Sequence, residues 1–181
     1  MLAAVRGVSA IEDVWAADDV NRASWTAAFG DVFPARVLEQ VDVPPEEPWV
    51  ESRFNQMCTH PGFLLATVKE DVVGYAYADW GSTAPFVGDT EAELKELYVH
   101  PEHWGEGVGT TLLDAVCGAL PVDRTALVLT TPERNSIGRS FYEARGFTLR
   151  ETLPATDPAG QYPMVVYARE LPVTDASWSA T

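Results

Sequence analysis

Leu97-Tyr98-Val99-His100-Pro101-Glu102-His103-Trp104-Gly105-Glu106-Gly107-Val108-Gly109-Thr110-Thr111 is the stretch on which the reading of this chain turns. Leu94 to Val99 reads as a strand stopped by Pro101. From Gly107 to Leu120, the apolar residues Val108, Leu112, Val116 and Leu120 recur every four positions, with Leu113 and Cys117 widening the stripe. That period predicts a helix. Between strand and helix, three alternating glycines let the backbone turn tightly and aim its N–H groups at one point. With the positive helix end they form an anion site suited to a pyrophosphate. A P-loop is excluded because the loop has no lysine. The G-x-G-x-G spacing, late in the chain, argues against a Rossmann fingerprint. Taken alone, the loop reads equally well as a turn that opens a helix.

Working outward, Thr125–Thr131 predicts an apolar strand and Asn135–Arg145 a helix with Ile137, Phe141 and Ala144 on one face, closed by Gly146. Strands over Phe147–Leu153 and Tyr162–Leu171 follow, and Pro172–Thr181 reads as a disordered tail. Toward the N-terminus, Val5–Val8 is a short strand. Ser9 is a helix N-cap with Glu12 completing a capping box, and a helix runs over Ala10–Phe29. A second short helix reaches Leu38, and Trp49–Cys58 is a third. Phe63–Lys69 and Val72–Trp80 form a hairpin about Glu70-Asp71, with Val73, Tyr75 and Tyr77 on one face and Gly74, Ala76 and Ala78 on the other. The order predicts one mixed α/β (α+β) domain over residues 1–171, built around a single sheet.

Composition narrows the function classes. The 181 residues suit one domain, and 46% hydrophobic against 22% charged residues rules out disorder as the default. No apolar run approaches the ~20 residues of a membrane span. The start of the chain lacks a signal-peptide core, so a cytoplasmic location is expected. Two cysteines, Cys58 and Cys117, argue against a disulfide-dense scaffold and a four-ligand zinc site. Twelve Lys plus Arg against 27 Asp plus Glu give a net charge of −15, without a basic face for nucleic acid. An anionic ligand must therefore be held locally, and a cationic partner is the easier one to attract.

Three segments together resemble the GNAT superfamily of acetyl-CoA-dependent N-acetyltransferases. They are the Leu97-Tyr98-Val99-His100-Pro101 strand end, the glycine loop, and Asn135-Ser136-Ile137-Gly138-Arg139-Ser140-Phe141-Tyr142-Glu143-Ala144-Arg145-Gly146-Phe147. Asn21–Phe29 resembles the first helix of one bacterial branch, and Val166–Leu171 its last strand. The resemblance implies a mixed, mostly antiparallel sheet flanked by helices. It also implies acetyl-CoA (coenzyme A) as the acetyl donor; no metal is expected, because His60 and His103 have no partner at metal-ligand spacing. Backbone groups of Leu97, Tyr98 and Val99 would pair with the pantetheine arm, one N–H polarising the thioester carbonyl. Trp104, Gly105, Glu106, Gly107, Val108, Gly109 and Thr110 would hold the pyrophosphate. Asn135 and Arg139 would bind the cofactor, and Tyr142 would set its hydroxyl near the thioester sulfur. The loop departs from the family pattern at Trp104, where Arg or Gln is usual, and at Glu106.

The implied reaction is direct acetyl transfer to a primary amine, small and cationic or a protein N-terminus. A non-catalytic acyl-CoA-binding or regulatory module on the same fold is the alternative. The amine, with a pKa of ~10.4 if lysine-like, needs a proton acceptor, and the leaving thiolate a donor. Tyr142 is the donor candidate, and Glu93, ranked ahead of Glu96, the acceptor. In a regular strand those glutamates face opposite ways unless a bulge intervenes. His100 is a weaker candidate. Trp15, Trp25, Phe29 and Trp49 are acceptor-side candidates that read equally as helix-packing core, the better reading for most of them, and Phe86 and Asp89 are further acceptor-side candidates. Partners expected are an amine acceptor, small molecule or peptide, and a second copy in a homodimer. Nucleic acid and membrane are not expected.

Overall fold

A computed structural model describes residues 3–154 and 162–172. Its strands are β1 (Ala4–Arg6), β2 (Phe63–Val68), β3 (Asp71–Asp79), β4 (Glu91–Val99), β5 (Ala126–Pro132), β6 (Thr148–Leu153) and β7 (Met164–Glu170). The helices are α1 (Ile11–Phe29), α2 (Ala35–Val41), α3 (Glu47–Thr59), α4 (Val108–Ala119) and α5 (Ser136–Glu143). One seven-stranded sheet has the order β1-β2-β3-β4-β5-β7-β6. Every neighbouring pair is antiparallel except β4–β5. The mixed, mostly antiparallel sheet matches the expected class. Beyond Pro172, the expected tail lies outside the described residues.

Two apolar layers sandwich the sheet. α4 buries Val108, Leu112, Leu113 and Val116 against Ala66, Ala76, Ala78 and Leu94. Its four-residue period delivers one unbroken stripe to the sheet. On the other face, Val14, Ala17 and Val20 of α1 and Val50 and Met57 of α3 cover Phe63, Leu65, Tyr75 and Tyr77. Phe63 and Tyr77 are stacked with centroids 3.8 Å apart across the β2–β3 pair.

Bulges re-aim two strands. Ala66 pairs with Gly74 but Thr67 with Val72, so Val73 is an extra residue. It joins the α4 layer, not the Tyr75 and Tyr77 face expected from alternation. Tyr77 pairs with Glu96 but Ala78 with Leu94, which makes Lys95 the extra residue in β4. Glu93 and Glu96 therefore stand opposite Asp79 and Tyr77, two positions apart on β3, and share a face. The α1 start also differs in detail. Ala10 is the N-cap, and the carboxylate that reaches back is Asp13, accepting from the N–H groups of Ser9 at 2.9 Å and Ala10 at 3.2 Å. Arg6 clamps the same carboxylate at 2.6 and 2.8 Å. Burial selected Asp13 (6% exposed) for this role over Glu12.

Candidate active site

β4 and β5 pair only at Glu91–Ala126, Ala92–Leu127 and Glu93–Val128. β4 then continues to Val99 beside β3, while β5 follows β7 as far as Pro132. The two parallel strands part, and the Leu94–Val99 edge loses its partner on the β5 side. The pairing with β3 decides which backbone groups face that opening. His100 N–H donates to Val73 O at 2.8 Å, and Val99 stands opposite Gly74. By alternation the Leu97 and Val99 groups turn to the opening, whereas those of Tyr98 turn to β3. The expected backbone contact of Tyr98 with the arm is thus withdrawn. The Val99 carbonyl accepts from Ser24 Oγ at 2.8 Å and Trp104 Nε1 at 2.6 Å.

The glycine loop follows at the same end. Gly105 and Gly107 have φ of +78° and +86°, a region open to glycine at little cost, and a Cβ on either would meet nothing within 4 Å. Both border open space, as a backbone cradle requires. Gly109 serves a different purpose, because a Cβ there would lie 2.9 Å from the Phe141 ring. It lets α4 approach α5. Thr110, in the first turn of α4, accepts from Arg145 Nε and Nη2 at 2.9 and 2.5 Å. The Arg145 guanidinium lies 3.7 Å over Phe141, so it ties the end of α5 to the loop. Glu106 pairs with His103 Nδ1 at 2.9 Å, which holds its carboxylate sideways on the surface.

On α5, Asn135 is the N-cap: its Oδ1 accepts from Gly138 N–H at 3.0 Å and its Nδ2 donates to Thr131 Oγ1 at 2.8 Å. Arg139 donates to Tyr167 Oη at 3.0 Å and Glu133 O at 2.9 Å, bracing the β5–α5 corner. Tyr142 packs edge-on between Phe141 and Phe147. Burial pushes its phenol well above the usual tyrosine range, with Tyr98 adding to the effect. Among the described residues its hydroxyl has no hydrogen-bond partner.

A cleft of about 280 Å³ opens on the other face of β3 and β4, lined by residues of α1 and α3 and by Tyr75 and Glu96. Glu96 Oε1 meets Arg53 Nη2 at 2.5 Å. Glu93 is not in its lining: its carboxylate accepts from Ala84 N–H at 2.9 Å and fastens the loop after β3. Tyr98, pushed up to about 12 mainly by burial, accepts from Trp25 Nε1 at 3.1 Å, and its ring lies 5.5 Å from Tyr75. Of the aromatic acceptor-side candidates only Trp49 lines the cleft. Trp25 stacks with Phe33 and meets Phe29 at a tilt, and Phe86 packs beside Val87. The sequence reading missed Arg53, Ser24 and Arg145. An isolated arginine or serine on a helix carries no local signal, and only the fold supplies their partners.

The Acetyltransferase (GNAT) family pattern matches residues 22–147. The chain belongs to this family. It is 26% identical over 137 residues to the L-amino acid N-acyltransferase MnaT of Escherichia coli, spanning 71% of this chain and 77% of that one. It is 29% identical over 116 residues to the L-methionine sulfoximine/L-methionine sulfone acetyltransferase of Salmonella typhimurium, spanning 63% and 64%. Its fold matches the PaiA N-acetyltransferase of Thermoplasma acidophilum solved with coenzyme A (TM-score 0.67, 22% identity, 94% of this chain and 100% of that one). It also matches YncA of Salmonella typhimurium solved with acetyl-CoA (TM-score 0.68, 21% identity, 100% of both chains). In this GNAT acetyltransferase β4 and β5 part after Glu93, and the glycine loop borders open space at the same end of the sheet. No helix among the described residues is long and apolar enough to cross a membrane.

Proposed function

We propose that this enzyme moves the acetyl group of acetyl-CoA directly onto a primary amine bound in the cleft, within a ternary complex. The observation that carries the reading is the parting of β4 from β5 after Glu93, since the freed edge faces the donor while Glu96 on the same strand lines the cleft. Gly105 and Gly107 would present N–H groups to the pyrophosphate, and Leu97 and Val99 would meet the arm. Acetyl-CoA supplies the activated thioester. Glu96 first accepts one proton from the ammonium and passes it to solvent, and the neutral amine then forms the C–N bond as the C–S bond breaks. Tyr142 gives its proton to the departing sulfur and is refilled by the second amine proton, leaving amide and free thiol. A phenol, with an ordinary pKa of ~10, carries its proton at neutral pH, so Tyr142 is ready for that step.

The cleft volume suits a small molecule better than a folded protein's terminus. The two relatives named for amino acids and their analogues support the same choice. The test is thiol release from acetyl-CoA against a panel of small amines and peptides. Turnover with an amine supports the reading. Coenzyme A binding without turnover on any acceptor supports the non-catalytic acyl-CoA module instead.

A further inference from the structure

A protein of charge −15 that selects a cationic amine would be expected to line its acceptor cleft with acid alone. It does not. Arg53 of α3 projects into the cleft with its guanidinium carbon 4.6 Å from the Phe63 ring centroid and 5.9 Å from that of Tyr77. Contact with the two rings holds the guanidinium in place without consuming its donors. Of its five N–H groups, one bonds Gln56 Oε1 at 3.0 Å and one Glu96 Oε1 at 2.5 Å. The remaining donors have no acceptor among the described residues. Asp18, the other carboxylate in the lining, already holds Arg22 Nε at 2.8 Å. The unspent binding capacity of the cleft is therefore cationic and forked, and forks of this kind take carboxylates in pairs of parallel bonds.

We propose that the acceptor is a zwitterionic α-amino acid or close analogue, whose carboxylate binds Arg53 and, by drawing it off Glu96, frees that glutamate to receive the ammonium proton. The inference rests on the reading of the cleft as the acceptor site. The two charges of an α-amino acid are one carbon apart, so a head seated on Arg53 brings its ammonium to Glu96. Val14, Ala17 and Met57 offer an apolar wall to its side chain. A plain alkylamine brings nothing to compete for Arg53 and leaves Glu96 occupied. Selection for the carboxylate should then act on kcat as well as on KM.

The experiment compares L-norleucine with pentylamine, the same side chain and amine without the carboxyl group. In the wild type, kcat/KM for norleucine should exceed that for pentylamine by at least ~100-fold, with part of the difference in kcat. In Arg53→Gln that ratio should collapse toward one, while Arg53→Lys should keep part of it. A wild type that acetylates pentylamine as well as norleucine overturns this inference and leaves the acetyltransferase reading standing. So does a preference that survives Arg53→Gln. If the wild type acetylates no acceptor at all yet coenzyme A still raises its Tm, the reading of the cleft fails, and this inference with it. The wild-type comparison stands alone should Arg53→Gln fail to fold.

Discussion

Tyr142 is a phenol that carries its proton at neutral pH and bonds to nothing else among the described residues. Its hydroxyl is not among the fully buried polar atoms and has no partner among those residues, so it adds little to stability and is free for a partner present only in the complex. Tyr142→Phe should therefore leave the Tm equal or slightly higher while turnover at saturating acetyl-CoA falls roughly 10- to 1,000-fold. An unchanged kcat would take Tyr142 out of the reaction. The two glutamates separate in the same way. Glu96→Gln should lower the rate most near neutral pH and recover partly as the pH rises and free amine accumulates. Glu93→Gln loosens a carboxylate that holds Ala84 N–H and lies 4.0 Å from Lys95, so its effect should appear in stability before it appears in the pH–rate profile. The opposite pattern would restore Glu93 as the proton acceptor.

Neighbouring glycines of one loop should fail differently when substituted. Gly107 has φ of +86° in open space, so Gly107→Val adds backbone strain of about 1–2 kcal/mol and blocks the cradle. The protein should still fold, and the Tm rise produced by coenzyme A should vanish. Gly109→Val drives a side chain into Phe141, from a contact already at 2.9 Å for a bare Cβ. It should lower the Tm of the free protein by several degrees, because α4 must move away from α5. Melting curves with and without coenzyme A distinguish the two. Equal loss of Tm in both variants would contradict the division of labour.

Charge acts on the whole molecule in two opposed ways. At −15 the folded chain repels itself, so added salt should raise the Tm of the free protein. The same salt should shrink the coenzyme A-induced rise, because a polyanion held by an acidic protein depends on local attraction. A salt response of one sign in both would refute this account. The pH limits follow from particular groups. The hydrogen bonds from Arg6 hold the Asp13 carboxyl well below its usual range. Burial pushes Asp79 up, but the Gly81 and Ser82 N–H groups, the Tyr77 hydroxyl and Lys95 outweigh it and leave it low. Depressed carboxyls contribute stability that is present above the ordinary ~3.9 and lost as pH falls through their folded values. Tyr75, Tyr77, Tyr98 and Tyr142 are all raised, chiefly by burial. Their contribution is present below the ordinary ~10 and lost as pH climbs past it toward their folded values. The Tm should be flat from about pH 5 to 9 and fall outside that window.

The four-residue apolar period of α4, Pro101 after β4 and the alternating loop glycines were legible in the sequence, because each acts through its own backbone and near neighbours. So was the place of Tyr142 on a helix beside Phe141. The shared face of Glu93 and Glu96 was not legible. It depends on an extra residue at Lys95, and a bulge is set by pairing with β3, across the loop over residues 80–90, not by β4 itself. Arg53 was invisible for the same kind of reason. Its meaning comes from Glu96, Phe63 and Tyr77, which lie far along the chain and meet it only when α3 packs on the sheet. Local order follows from local sterics and periodicity, so the sequence alone determined the elements, the loop and the family. The pairing of charges across the cleft is a long-range result of packing, and only the tertiary structure decided which glutamate lines the cleft and what faces that glutamate.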